Sequence, residues 1–280
     1  MSDTSFATDN DYSAETCDDG KDAFDIFPFL SDDVLTNVVE EMNTSGFGVV
    51  RGCINPEILM PAVRFIEERV AASGGEYVAF AGSDALAGTF LAGLSSSPSF
   101  RAACETLYRK GTGLRAPDTP FYQLLRCLSG GTGKQHSFYF HYDSYVLTVL
   151  LPIVIPSDGR AGDLVMIPNM RRLRKTYAGN LIDKVMLENR VVQKGLKIFV
   201  SSGWLPATRV RMIPGNAYFF WGYRSIHANE PCDPDRTRAT ALFHYVNPHA
   251  ESVVRERLGR GWAAVRHGHA RANGLWRQRV

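Results

Sequence analysis

The residues able to do chemistry fall in three places along this chain. His141-Tyr142-Asp143 follows an aromatic run, Phe138-Tyr139-Phe140. On extended backbone, residues i and i+2 point the same way, so the His141 imidazole and the Asp143 carboxylate can face one pocket and share one metal ion. Alone this pair is a weak signal, because structural His–Asp hydrogen bonds produce it often. The second place is His227, 86 residues after His141, delivered by the turn Pro214-Gly215-Asn216, an apolar run over 217–221 and a short link. Two imidazoles and one carboxylate on one face of a metal leave the other face open, which suits a non-haem Fe(II) that must bind a cosubstrate and O2. Zinc is the rival metal, since zinc hydrolases also use two histidines and a carboxylate, but no HExxH motif is present. The third place is Arg238-Ala239-Thr240, at the head of the last strongly apolar run. A guanidinium buried there needs an anionic partner to offset its desolvation. The carboxylate of a small dicarboxylic acid, held bidentately, fits well. Thr240 faces the same side and adds a hydroxyl. Arg236, beside the turn Asp233-Pro234-Asp235, reads as a solvated or turn-pairing residue.

These groups need elements to position them. Ser31 before Asp32 and Asp33 is an N-cap signal, and Val34, Leu35, Val38, Val39 and Met42 follow at helical spacing up to Gly46. The same pattern recurs over 56–72. Residues 99–110 form a third candidate helix, ended by Gly111. A short strand is expected over 47–51. From residue 120 the texture is β, with strands expected over 121–128, 145–155, 163–167, 210–213, 217–221 and 239–246, and with 138–140 leading into another. Glycine and proline punctuate most of them, as in a sandwich or jelly-roll barrel. Residues 171–197 interrupt the series with eight Lys or Arg and two acids, and read as one basic amphipathic helix.

Composition bounds the class. The chain has 280 residues, 45% hydrophobic and 21% charged, enough to bury a large core without disulfides. Five cysteines with no CxxC spacing argue against a disulfide scaffold or a Cys-type zinc site. No apolar run is long enough to span a bilayer. The net charge of +2 gives no reason to expect nucleic acid as a partner. The polar, acidic N-terminus is unlike a secretory signal or transit peptide, so the expected location is cytoplasmic. The division expected is an acidic segment over 1–25, one domain over 26–250 and an arginine-rich tail over 251–280. That domain comprises a helical lead over 31–115, a barrel over 120–248 and the basic insertion. Nothing in the pattern sets an oligomeric state.

Taken together, His141-x-Asp143, Pro214-Gly215-Asn216 with its apolar strand, His227-Ala228-Asn229-Glu230-Pro231 and Arg238-x-Thr240 make residues 120–248 resemble the Fe(II)/2-oxoglutarate-dependent oxygenases, within the phytanoyl-CoA dioxygenase-like branch. The resemblance implies an all-β core with flanking helices, a double-stranded β-helix (jelly-roll, cupin-like barrel) buttressed by N-terminal helices. It implies iron held by His141, Asp143 and His227, and the 2-oxoglutarate C5 carboxylate paired with Arg238 beside Thr240. O2 would oxidise an unactivated C–H of a small molecule, giving succinate and CO2, by hydroxylation or by a variant such as desaturation. A carboxylate at 143 argues against halogenation, which needs that coordination position for halide. Asn216 replaces the family's usual aspartate, a change in a turn rather than at the metal.

Around this set, Tyr122 is a candidate to hydrogen-bond the cosubstrate, or an amphipathic core residue. Arg126 shares its face. Gln135, His136 and Ser137 are candidates for the substrate mouth, and Trp221 and Tyr223 for packing behind the distal histidine. His244 reads as a core or surface histidine rather than a ligand. Residues 80–83 and 91–97 are a possible lid. The basic stretches suggest an anionic small molecule as substrate. Two readings from other classes stand beside the oxygenase: a non-catalytic jelly-roll binding protein and a zinc hydrolase on the same ligands.

Overall fold

The computed structural model describes residues 25–252. The rest of the acidic N-terminal segment and nearly all of the arginine-rich tail, with Trp262 and Trp276, lie outside the described residues. The first third is helical for the reasons its sequence gives. Helix α1, Asp32–Thr44, starts where the Ser31 hydroxyl accepts from the Val34 N–H, and it buries Leu35, Val38, Val39 and Met42. Strand β1, Phe47–Val50, follows. Helix α2, Pro56–Ala72, is capped by Asn55 with a proline in its first turn, and it buries Leu59, Ala62, Ile66 and Val70. Strand β2, Val78–Ala81, then leads through a short 3-10 turn and helix α3, Leu91–Leu94, into helix α4, Pro98–Thr112.

Two of the expectations for this region are corrected. Helix α4 does not stop at Gly111. Gly113 ends it in the left-handed conformation (φ 71°), and Gly111 lies two residues earlier, against the Trp221 indole. The stretch 91–97, one of the two read as a possible lid, is anchored in the core. Leu86, Leu91 and Leu94 are fully buried in the main core, and Gln123 donates to the Leu91 carbonyl at 2.7 Å.

From residue 122 the strands take over: β3 (Tyr122–Leu128), β4 (Leu147–Val154), β5 (Leu164–Ile167), β6 (Thr208–Val210), β7 (Ala217–Phe220), β8 (Ile226–Asn229) and β9 (Arg238–Tyr245). Helix α5, Gly130–Gln135, follows β3, and helices α6, Tyr177–Leu187, and α7, Arg190–Ser201, fill the gap between β5 and β6. The basic insertion is therefore two helices rather than one, broken at the Asn189 cap. The strands form two antiparallel sheets, one in the order β1-β7-β4-β9-β3-β2 and one in the order β6-β5-β8.

Strand alternation sorts the side chains of the large sheet. Leu125, Val149, Ala241, Phe243 and Tyr245 join Val38, Met42, Ile66, Phe100 and Leu107 of the helices in the main hydrophobic cluster. Leu150, Tyr218 and Phe220 pack the opposite way, with Leu164, Met166 and Val210 of the small sheet. The molecule is thus helices on a six-stranded sheet, and that sheet on a three-stranded one. The register pairs Thr148 with His244 on adjoining strands and Arg126 with Thr240, so a row of polar side chains runs along the inner face of an otherwise apolar sheet.

The strand expected after 138–140 does not form. Phe138 has φ 50°, which extended backbone cannot hold; its N–H donates to the Asn229 carbonyl of β8, and His141 forms an isolated bridge with His227. Strand β6 lies slightly ahead of the expected 210–213. Strands β2 and β8 have no counterpart in the sequence reading, and β8 carries His227.

Gly111 offers a test of this packing. In an exposed helix, glycine to alanine gains about 1 kcal/mol. Here a Cβ would lie 2.0 Å from Trp221 Cζ2. Gly111→Ala is expected to lower the thermal midpoint by about 2–6 °C, on overpacking costs of roughly 1–3 kcal/mol. A raised midpoint in the same calorimetric scan would contradict the helix–sheet contact.

Candidate metal centre

The bridge between His141 and His227 is the local device that brings the far pieces together. Each residue's N–H donates to the other's carbonyl, at 3.0 and 3.1 Å. Their rings end up 4.4 Å apart. Each Nδ1 sits against the carbonyl two residues back, Tyr139 at 3.0 Å and Ser225 at 3.1 Å. A backbone carbonyl accepts only, so Nδ1 carries the proton and Nε2 of each ring presents a lone pair.

Asp143 completes the set. Its Oδ1 lies 3.6 Å from His141 Nε2 and 3.5 Å from His227 Nε2. The three donor atoms fall within 4.8 Å of one another. Bonds of about 2.0–2.2 Å to one ion put neighbouring donors roughly 3–3.5 Å apart, so the donor set fits a single divalent metal. Asp143 and His227 are buried, while the His141 side chain keeps 29% of its surface, so the approach to the metal position is from the His141 side.

The carboxylate is held from behind. The Asp143 N–H donates to the Gly222 carbonyl at 2.9 Å. The Thr148 hydroxyl donates to Oδ2 at 2.5 Å and lies 3.1 Å from His244 Nδ1. Oδ2 is thereby occupied, and Oδ1 is left for the metal. Gly222 makes this approach possible, since a Cβ there would sit 2.2 Å from Asp143 Oδ2. Burial alone would raise the Asp143 carboxyl, but the adjacent His227, then His244, hold it well below the usual range. Burial opposes charge on His227 too, and Asp143 outweighs it and raises that imidazole. Burial lowers His244, which stays neutral beside Thr148.

The insertion helices fix the ligand segment. Gln193 accepts from the Phe140 N–H at 2.9 Å and donates to the Phe140 carbonyl at 2.7 Å. The Arg171 guanidinium lies between the Tyr142 and Tyr223 rings, at 3.8 and 4.3 Å, and pairs with Asp183 at 2.8 Å. Lys184 donates to the Ser144 hydroxyl at 2.7 Å, and burial lowers its pKa.

Arg238 is 3% exposed and forms no ion pair among the described residues. Its Nη2 donates to Asn229 Oδ1 at 3.1 Å, whereas its Nε and the Thr240 hydroxyl are buried without a hydrogen-bond partner. Burial, then the neighbouring Arg126, pushes the guanidinium down to about 10. Gly162 makes room for it, since a Cβ there would meet Arg238 Cδ at 2.7 Å. Asn229 follows His227 by two residues on the same face of β8, so this cationic seat lies about one i,i+2 step, roughly 7 Å, along the strand from the metal ligand. Orphaned buried donors beside an unpaired cation fit a carboxylate. Arg236, by contrast, pairs with Asp158 at 3.0 Å on the surface.

Other candidates fall elsewhere. Tyr122 is 37% exposed and lies opposite His244 in the register, away from the Arg238 end, stacked on Tyr145 and His244. His136 stacks on Tyr77 at 3.9 Å, next to Gln135 and Ser137 at the end of α5. Trp221 donates to Asn43 at 3.0 Å, and the Tyr223 hydroxyl meets His249 at 3.0 Å, so both pack behind the site. His244 is the buried, partnered core histidine its sequence suggests, whereas the roles of Thr148, Gly222, Asn229 and Gln193 were not read from the sequence. Thr148 had a signal: it interrupts a long apolar run, in which a lone hydroxyl needs a buried partner.

No protein-family model matches the chain, and no curated protein matches it. Among solved structures, it is similar to the non-heme alpha ketoglutarate dependent carbocyclase SnoK of nogalamycin biosynthesis (16% identity, 77% of this chain and 84% of that one, TM-score 0.49). It is also similar to the epimerase SnoN of the same biosynthesis (14%, 78% and 84%, TM-score 0.48), solved as well with Fe3+, alpha ketoglutarate and nogalamycin RO. A Pseudomonas putida prolyl-4-hydroxylase aligns at 13% identity over 76% of this chain and 98% of its own, with a TM-score of 0.47. At these identities and scores the likeness assigns no reaction.

Two outcomes are expected at this site. Gly222→Ala should weaken Fe(II) or Co(II) binding at least about tenfold in anaerobic titration while the far-UV spectrum is kept, because the ligand carboxylate must move. Metal affinity should also fall as pH drops from 7.5 to 6. Asp143 raises the His227 imidazole, so it takes up a proton more readily than a free imidazole as pH falls, and that proton must leave before Nε2 can bind a metal. Affinity that stays flat across this range would exclude His227 as a ligand.

Proposed function

We propose that this chain is a non-haem Fe(II)- and 2-oxoglutarate-dependent dioxygenase acting on a C–H bond of a small molecule. We read it as built on a double-stranded β-helix and nearest the phytanoyl-CoA dioxygenase-like branch. The observation that carries the proposal is the pairing of a three-donor metal site with a buried, unpaired arginine on the same inner face. A zinc hydrolase has no use for that arginine. A decayed binding protein would have no reason to keep both imidazoles with Nε2 free.

His141, Asp143 and His227 would hold the iron, and Arg238 with the Thr240 hydroxyl would hold the far carboxylate of 2-oxoglutarate. Bound there, the pair supplies oxidation of a C–H bond by O2, with release of succinate and CO2. The chain's own part is positional. Thr148 and Gly222 fix the carboxylate, leaving Oδ1 forward. Gln193 fixes the His141 segment. Phe220 lies against the His227 ring at 4.9 Å, and together with Leu150 and Met166 it keeps the inner wall apolar and water out. The four described cysteines are free and buried, in keeping with the reducing cytoplasm we assign it to.

The test is coupled succinate release across a panel of candidate substrates, with mass spectrometry for gain of one oxygen or loss of two hydrogens. His141→Ala or Asp143→Ala should abolish substrate-dependent succinate. Arg238→Ala should raise the KM for 2-oxoglutarate by about 10–100-fold with a smaller effect on kcat, the loss of one buried charge-assisted pair. Undiminished turnover in the Asp143 variant, or an unchanged KM in the Arg238 variant, would refute the assignment.

A further inference from the structure

Helices α6 and α7 bury little of their apolar surface. Helix α6 turns Asn180 and Leu187 inward and leaves Ile182, Val185 and Met186 exposed. Helix α7 turns Val200 inward and leaves Val191, Ile198 and Phe199 exposed, Val191 to 79%. With Ala178 and Gly195 included, the outward positions are 178, 182, 185 and 186 on one helix and 191, 195, 198 and 199 on the next. Both follow the i, i+4, i+7, i+8 stripe of an amphipathic helix, here facing away from the core. Trp204, just beyond α7, extends the patch and is 82% exposed, with its ring 6.5 Å from Phe199. Apolar stripes turned outward on two successive helices, the second joined by Trp204, exceed the singly scattered exposure that soluble surfaces tolerate.

The surrounding charge says what covers it. Arg172, Lys175, Arg190 and Lys194 are exposed and form no ion pair among the described residues. The acids of the insertion are engaged, Asp183 by Arg171 and Arg174, and Glu188 by the Tyr139 hydroxyl. A second copy of the chain would bring these cations against their own images, which opposes self-association. An anionic bilayer meets both features, since its acyl boundary takes the aliphatic and aromatic side chains and its headgroups take the lysines and arginines. Twelve residues of α7 reach about 18 Å, too short to cross a bilayer, so such a helix lies in the interface. No helix among the described residues is long and apolar enough to span.

We propose that the α6–α7 hairpin is an interfacial docking element for anionic lipid membranes. It stands beside the approach to the metal site, because the same helices hold Phe140, Tyr139 and Ser144 from their inner faces. The inference needs no particular metal or reaction.

The full chain should co-sediment with mixed phosphatidylcholine–phosphatidylglycerol vesicles, bind phosphatidylcholine alone much less, and dissociate as salt rises. Its tryptophan emission should shift to the blue on binding, and Trp204→Phe should remove most of that shift. Val191→Asp with Ile198→Asp, at exposed positions that leave the fold intact, should weaken partitioning at least about tenfold. Arg190→Glu with Lys194→Glu should abolish the preference for anionic lipid. A wild-type chain that stays in the supernatant at low salt would overturn the proposal. So would vesicle binding indifferent to these substitutions, or a lipid-free dimer that the aspartate variant dissolves.

Discussion

The structure turns on one buried carboxylate. Asp143 is closed off from solvent, and an ionised carboxylate in that position is untenable unless it is surrounded by donors and positive charge. The Thr148 hydroxyl supplies a donor, and the rings of His141, His227 and His244, from three other segments of the chain, stand 3.5–3.7 Å from the carboxylate. That requirement explains much of the local architecture. It accounts for a hydroxyl in the apolar strand β4 and a neutral histidine in β9. It also accounts for a glycine after Trp221, where any side chain would occupy the carboxylate's place. A metal dication would satisfy Oδ1 as Thr148 satisfies Oδ2.

Arg238 is the complementary problem, a buried cation with one hydrogen bond and no ion pair among the described residues, with Asp163 acting on it only through space. Leaving it so costs several kcal/mol, and a well-packed apolar residue would avoid that cost. Arg126 nearby makes the position more positive still. The chain tolerates the expense at a point one strand step from His227. Such an excess of positive charge marks a position that an anion would balance.

Legibility in the sequence followed the range of the interactions involved. Helices α1 and α2 were plain because caps and stripes act within a few residues, and strands β3, β4, β5, β7 and β9 were plain from apolar runs between turn residues. His141, Asp143 and His227 were legible as types at a spacing. What brings them together was not, because strand β8 is four residues long, lies between turns and takes its conformation from pairing with β5. Phe138 adopts a left-handed conformation where local preference suggested a strand, and its N–H is held by the Asn229 carbonyl at 2.7 Å. Thr148 and His244 lie 96 residues apart and meet only through sheet register. Gly111 was misread as a stop because its reason for being glycine is the Trp221 indole, 110 residues away.

The insertion shows a different limit. Apolar residues at helical spacing say that a helix has an apolar face, and they leave open which way that face is turned. In α1, α2 and α4 it turns to the core, where the sheet has area to cover. In α6 and α7 the inward positions are taken by Asn180, Leu187, Gln193 and Val200, which serve the ligand segment and Arg171. The polar contacts that fix His141 therefore set the rotation of both helices, and the apolar stripe is left on the opposite side. Holding the His141 segment and exposing a basic, apolar surface are two results of a single helical phase.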